Sequence, residues 1–147
     1  QWDFTKARPE ICPVIEQVCR LYVGQEYPQL IPEVTEDLTA LFDGFLSSEA
    51  YRRLQRATVL GREIPFVMSC GENQLMDGVI DLIYRLDDRI WIADYKTDEL
   101  VAEEVQIRVD RYRPQADMYL QAVGRSLGLS SLSFQFIFLR LGLTVDV

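Results

Sequence analysis

The strongest constraint in this sequence is a pair of β-rich runs on either side of a short polar turn. Gly78-Val79-Ile80-Asp81-Leu82-Ile83-Tyr84 leads through Arg85-Leu86-Asp87-Asp88-Arg89 into Ile90-Trp91-Ile92-Ala93-Asp94-Tyr95-Lys96-Thr97-Asp98. Branched and aromatic residues flanking such a turn specify an antiparallel hairpin. With Asp87-Asp88 as the loop, Leu86 faces Arg89, and counting outward sets Asp81 opposite Asp94. Opposed side chains in such a ladder have Cβ atoms roughly 4.5–5.5 Å apart, and like charges there repel. Strand alternation puts Ile90, Ile92, Asp94 and Lys96 on one face, so the amine lies about 6–7 Å from Asp94 along the strand. One lysine does not neutralise two buried acids, which leaves a place for a hard divalent cation such as magnesium. The plainer alternative is an acidic pair at a solvated sheet edge, steadied by Lys96.

Around the hairpin, apolar periodicity supplies the other elements. Ile11, Val14, Ile15, Val18, Cys19 and Tyr22 fall at helical spacing, with Pro13 tolerated in the first turn. Val34, Leu38, Leu41, Phe42, Phe45 and Leu46 repeat the pattern, and a short segment around Tyr51 and Leu54 follows. Gly61 opens a strand over 62–69, in which Pro65 marks an edge or a bulge. Residues 98–104 read as an acidic loop or lid. Asp110 is the expected N-cap of a helix running to about Leu127, with Pro114 in its first turn and Gly128 closing it. Tyr112, Gln115 and Tyr119 then share a face. Residues 133–141 form a last strand, apolar on most of both sides and therefore internal. The order predicts an α/β fold: a mixed sheet flanked by helices, with extra N-terminal helices, residues 1–60 being helical and 61–147 holding sheet and helix.

The residues of the hairpin resemble the nuclease domain of the RecB/AddA type, a branch of the PD-(D/E)XK superfamily. Gly-Val-Ile-Asp-Leu-Ile followed by Ile-Ala-Asp-Tyr-Lys-Thr-Asp carries the likeness. Tyr112-Arg113-Pro114-Gln115-Ala116-Asp117-Met118-Tyr119 is similar to that branch's glutamine-x-x-x-tyrosine helix, and Arg62-Glu63-Ile64-Pro65-Phe66 to its first core strand. The resemblance implies a restriction-endonuclease-like core and a DNA nuclease, exonuclease V-like, using Mg2+ or Mn2+. It implies metal ligation by Asp81, Asp94 and the Tyr95 main-chain carbonyl, with Glu63 a further candidate. It gives Lys96 the attacking water, and places Gln115, Tyr119, Tyr112 and Arg111 along the DNA. The partners it implies are DNA, helicase domains of the same chain and a second subunit. One departure stands out: the family brings a histidine from an upstream helix to the metal, and this sequence contains none.

Bulk properties set the remaining bounds. A chain of 147 residues, 48% apolar and 26% charged, is read as a single domain that buries a core. It starts at Gln1 and stops at Val145-Asp146-Val147, which reads as a piece of a longer protein. No apolar run approaches the roughly 20 residues that cross a bilayer, and no signal-peptide pattern is seen, so no membrane partner and a cytoplasmic location are expected. Cys12, Cys19 and Cys70 are an odd set without Cys-x-x-Cys spacing, which argues for buried reduced thiols rather than disulfides or a zinc site. The net charge of −8 disfavours tight autonomous DNA binding. Arg52, Arg53, Arg56 and Arg62, with Arg108, Arg111 and Arg113, are the candidates for a local basic rim; a solvated face is the alternative for those of the short helical segment. Besides the helicase-associated nuclease, two readings stay open. One is a non-catalytic DNA-binding scaffold that keeps the fold, and the other is a free-standing nuclease of the Cas4 or phage-exonuclease kind.

Overall fold

The turn between the two central strands takes the conformation its residues allow. Asp87 and Asp88 have φ of 50° and 61°, the left-handed region that short polar side chains tolerate. Two such residues in succession make the tight turn whose twist suits an antiparallel pair. The computed structural model describes Phe4 and residues 11–69, 71 and 74–147. In it, β2 (Leu75–Leu86) and β3 (Arg89–Lys96) pair in the expected register, Leu86 with Arg89, Tyr84 with Trp91 and Leu82 with Ala93.

Three further strands complete a mixed sheet in the order β1-β2-β3-β4-β5. β1 (Thr58–Ser69) is antiparallel to β2, β4 (Ser133–Phe138) is parallel to β3, and β5 (Leu143–Asp146) is antiparallel to β4. A parallel pair needs a long crossover, and here helix α4 (Val105–Leu127) supplies it. Three helices precede the sheet: α1 (Ile11–Tyr22), α2 (Ile31–Ser47) and α3 (Glu49–Gln55).

The two faces of the sheet bury separate cores. Ile80, Ile83, Ile92 and the phenylalanines 134, 136 and 138 pack under α4, against Val105, Val109, Ala116, Tyr119 and Val123. Leu82, Tyr84, Leu86, Trp91 and Ala93 pack on the other face against Phe45 of α2 and Tyr51 and Leu54 of α3. The α/β architecture expected from the sequence is therefore the observed one, with β4 internal and β1, which carries Pro65, at an edge.

Several boundaries differ from expectation. α4 begins at Val105, not after Asp110, so Pro114 lies inside the helix. An interior proline costs about 3 kcal/mol. Burying Val105 and Val109 against the sheet gains roughly 1.5–3 kcal/mol each, and the Glu104 carboxylate receives the Val101 amide at 3.2 Å just ahead of the helix. β1 starts three residues before Gly61, with a bulge between Val59 and Gly61. The last predicted strand stops at Phe138, and a turn through Gly142, whose φ is 63°, leads into β5, which the sequence did not suggest.

The first helix is less buried than its apolar spacing suggests. Ile15 and Cys19 are buried against α2, whereas Val14, Val18 and Tyr22 are exposed. Among the described residues α1 packs chiefly on α2, so only a narrow stripe is covered. Cys12 is exposed, against the expectation of a buried thiol: it shares the Ile15–Cys19 face by spacing but lies in the first turn of α1; Cys70 lies outside the described residues. Among these residues no helix is long and apolar enough to cross a membrane.

Candidate active site

The site forms where β2 departs from strict alternation. Ile80 and Ile83 both pack under α4 while Leu82, Tyr84 and Leu86 pack on the other face, which a regular strand cannot do over an odd spacing. The break falls where the β1–β2 pairing skips Glu63 and Asp81, and Glu63 takes a φ of 49° there. Irregularities of this kind re-aim side chains beside functional sites. The β2–β3 pairing runs as far as Leu82 and Ala93. One step beyond, the Asp81 carboxylate accepts the Tyr95 amide at 2.8 Å, so it lies against the backbone next to Asp94.

Asp94 is 3% exposed, and its neighbours account for that burial only in part. Lys96 Nζ lies 2.6 Å from Oδ2, but no donor is aligned on that oxygen; the contact is a charge pairing rather than a directed bond. Gln115 Nε2 donates to Oδ1 at 3.2 Å. Burial pushes the Asp94 carboxyl above the usual carboxylate range, Lys96 opposes that shift, and the charge of Asp81 adds to it. A buried carboxylate with one unaligned oxygen beside a second carboxylate is an electrostatic cost that a cation removes.

α4 holds the lysine. Gln115 Oε1 accepts from Lys96 Nζ at 2.8 Å, while the same side chain's Nε2 reaches both Asp94 and the Tyr119 hydroxyl, the latter at 2.9 Å. Tyr119 donates onward to the Val79 carbonyl at 3.0 Å. Burial, chiefly, raises its pKa, which keeps the hydroxyl protonated and able to donate. One helical turn therefore ties β3 to β2 through a glutamine and a tyrosine spaced by four residues. Of the i, i+4 pair on one face of α4, Gln115 reaches Asp94 and Lys96, and Tyr119 reaches Gln115 and the β2 backbone.

Other predicted residues sit differently. The Tyr112 ring lies 4.0 Å from Lys96 Nζ, and its hydroxyl donates to the Asp98 carboxylate at 2.9 and 3.1 Å. Asp98 also pairs with Arg108 at 3.5 Å. Residues 98 and 108 thus brace the tyrosine beneath the lysine, a role the sequence reading missed. Only part of the signal was local: Arg108 precedes Tyr112 by one helical turn, but Asp98 lies in the loop after β3. Arg111 is exposed and outside this network. Glu63 is exposed, and among the described residues no three His, Cys, Asp or Glu side chains gather at one point. Arg52, Arg53 and Arg56 do not rim the site; they line a cavity beside the hairpin turn.

The donor set suits a hard divalent cation: two carboxylates, one with a buried oxygen lacking an aligned donor, beside strand backbone. Such ions are held by one or two carboxylates with water and phosphate filling the remaining positions. A strand aspartate followed two residues later by a lysine stands beside a second aspartate and is backed by a glutamine helix. A family model described as the PD-(D/E)XK nuclease superfamily matches residues 5–141.

The chain belongs to the PD-(D/E)XK nuclease superfamily. Similar proteins include an ATP-dependent helicase/nuclease subunit of Anoxybacillus flavithermus, 30% identical over 120 residues, covering 75% of this chain and 9% of that protein. The protein of the same name from Lacticaseibacillus casei is 32% identical over 124 residues, covering 76% of this chain and 10% of its own length. That of Streptococcus sanguinis is 36% identical over 83 residues, covering 53% of this chain and 7% of its own length. The PD-(D/E)XK chain thus spans about a tenth or less of the length of these relatives, and the RecB/AddA-type resemblance read from its hairpin and helix agrees with their names.

Proposed function

We propose that this chain is the nuclease domain of a longer helicase-nuclease, hydrolysing DNA phosphodiesters with the help of Mg2+ or Mn2+. The observation that carries the reading is the contact of Lys96 Nζ with both Asp94 Oδ2, at 2.6 Å, and Gln115 Oε1, at 2.8 Å, next to Asp81. A lysine and two acids held this closely are costly for a fold and useful for chemistry on an anion.

Asp81 and Asp94 would hold the ion, with the Tyr95 main-chain carbonyl as a further ligand. When bound, the ion supplies positive charge against which a phosphodiester, already anionic, can accept more charge in its transition state. Lys96 has three N–H donors; one is engaged by Gln115, while the ammonium pairs by charge with Asp94. A remaining donor orients the attacking water or bonds a phosphoryl oxygen as negative charge grows on it. Gln115 holds carboxylate and ammonium in fixed positions, so that little reorganisation is needed at the moment of reaction. Tyr119 secures Gln115 and the β2 backbone, while Tyr112 and Arg111 stand toward the path of the DNA.

The reading extends to exonucleolytic action at DNA ends in repair and recombination, in the cytoplasm. Its partners are the helicase domains of the same chain and a second subunit. It is tested by incubating linear single- and double-stranded DNA with the protein, with and without Mg2+ or Mn2+, beside Asp94→Ala and Lys96→Ala variants. Metal-dependent cleavage that disappears in both variants supports the nuclease. DNA binding without cleavage in the parent favours the scaffold reading instead.

A further inference from the structure

A second charged site lies at the other end of β3 and on the other face of the sheet. Beside the hairpin turn a cavity of about 800 Å³ is lined by Arg52, Arg53, Arg56 and Arg89, with Trp91 and Leu86 below and Glu49 and Asp87 as the carboxylates. Arg89 is five residues from Asp94 along β3, about 16 Å at the rise of a strand. Four arginines at one cavity contrast with a chain of net charge −8.

The packing explains one of the four. The Arg53 guanidinium lies 4.2 Å over the Trp91 ring and 3.4 Å from the Asp146 carboxylate, yet its Nε is buried without a hydrogen-bond partner. Arg52, Arg56 and Arg89 are exposed and make no ion pair among the described residues. A helix C-terminus favours cations, which accounts in part for Arg52 and Arg56 at the end of α3. It does not account for Arg89, which comes from the strand across the cavity. Like charges converging from two elements repel unless an anion joins them.

We propose that this cavity binds the phosphate backbone of a nucleic-acid strand, away from the reaction centre. Guanidinium forks match phosphate oxygens in pairs. The Trp91 face is already covered by Arg53 and the residue is 8% exposed, so no ring is free to stack a base. Recognition therefore falls on phosphates and is independent of sequence. The inference rests on DNA being the substrate, and it places a backbone contact on a domain whose overall charge repels DNA.

The test is fluorescence anisotropy of a labelled single-stranded oligonucleotide with the metal-free protein in EDTA, over a series of salt concentrations. Arg52→Ala, Arg56→Ala and Arg89→Ala are each expected to weaken binding about threefold to tenfold and to lower the salt slope by about one. Their circular dichroism should be unchanged, since these side chains are exposed, and Arg20→Ala, at an exposed arginine paired with Glu16 on α1 and absent from the cavity lining, should bind like the parent. In the parent, the Trp91 indole N–H resonance should shift on adding oligonucleotide. Absent binding at low salt, or a triple variant that binds like the parent, overturns the proposal. So does displacement of the oligonucleotide by polyglutamate of equal charge at equal concentration, which assigns the cavity to an acidic protein segment. Loss of binding in the arginine variants of a protein that never cleaves DNA would sink the catalytic reading and leave this one standing.

Discussion

The two faces of the sheet each hold a glutamine, half-buried Gln115 on one and buried Gln135 on the other, and they use it in opposite ways. Under α4, Gln115 engages a lysine, a carboxylate and a tyrosine at once, close to half-buried Asp81 and buried Asp94. On the other face, Gln135 is wholly buried, donates to the Tyr84 hydroxyl and leaves its own Oε1 without a partner. The first glutamine gathers charge at the end of β3; the second satisfies a tyrosine inside an apolar layer. The same sheet thus separates polar groups that serve chemistry from polar groups that serve packing.

The largest expected effect lies on the α4 face. Asp94→Asn should lower metal-dependent cleavage by about 10³-fold, roughly 4 kcal/mol. Its thermal midpoint should hold or rise, because a carboxylate whose charged form burial disfavours becomes neutral. Initial cleavage rates measured beside thermal unfolding check this, and a variant that fails to fold breaks the comparison.

Next comes an alkaline effect on the opposite face. Burial, first of all, raises Tyr84 from its ordinary 10.0 to about 12. A raised pKa in the folded state means that the stability contributed is whole below pH 10 and is lost as pH rises through about 12. The loss is about 2 to 3 kcal/mol. Urea unfolding across that range should show a steeper decline for the parent than for Tyr84→Phe, whose cleavage at neutral pH should match the parent.

Exchanging the glutamines sharpens the contrast. Gln115→Leu should slow cleavage about twentyfold, just under 2 kcal/mol, whereas Gln135→Leu should leave the rate unchanged. Equal effects on cleavage would mean that the two faces are coupled. The smallest effect concerns neither glutamine. Ser48 caps α3, its hydroxyl accepting the Tyr51 amide at 3.2 Å, and Ser48→Ala should cost about 1 kcal/mol of stability with cleavage intact.

Much of the site was legible because it is local. The register that runs to Leu82 and Ala93, one step from the two acids, follows from a two-residue turn, the shared face of Asp94 and Lys96 from alternation, and the pairing of Gln115 with Tyr119 from the helical repeat. The kink at Glu63 and Asp81 was not legible, since it depends on how β1 pairs with β2 across a break. Nor was the brace of Asp98 and Arg108 under Tyr112, which joins a loop to a helix that begins earlier than its proline suggested. Val105 and Val109 show why: their burial outweighs a local signal, and burial exists only once the sheet is formed.

By itself the sequence determined the hairpin, the alternation of its faces, the glutamine helix and the family. These are short-range consequences of turn chemistry and periodicity. Tertiary structure alone decided that Gln115 meets Asp94 and Lys96, and that Arg52, Arg53 and Arg56 meet Arg89 instead of rimming the acids. It also decided that Asp94 keeps one buried oxygen without an aligned donor. Those outcomes depend on which face of the sheet each helix covers, and that is set by the packing of whole elements against one another.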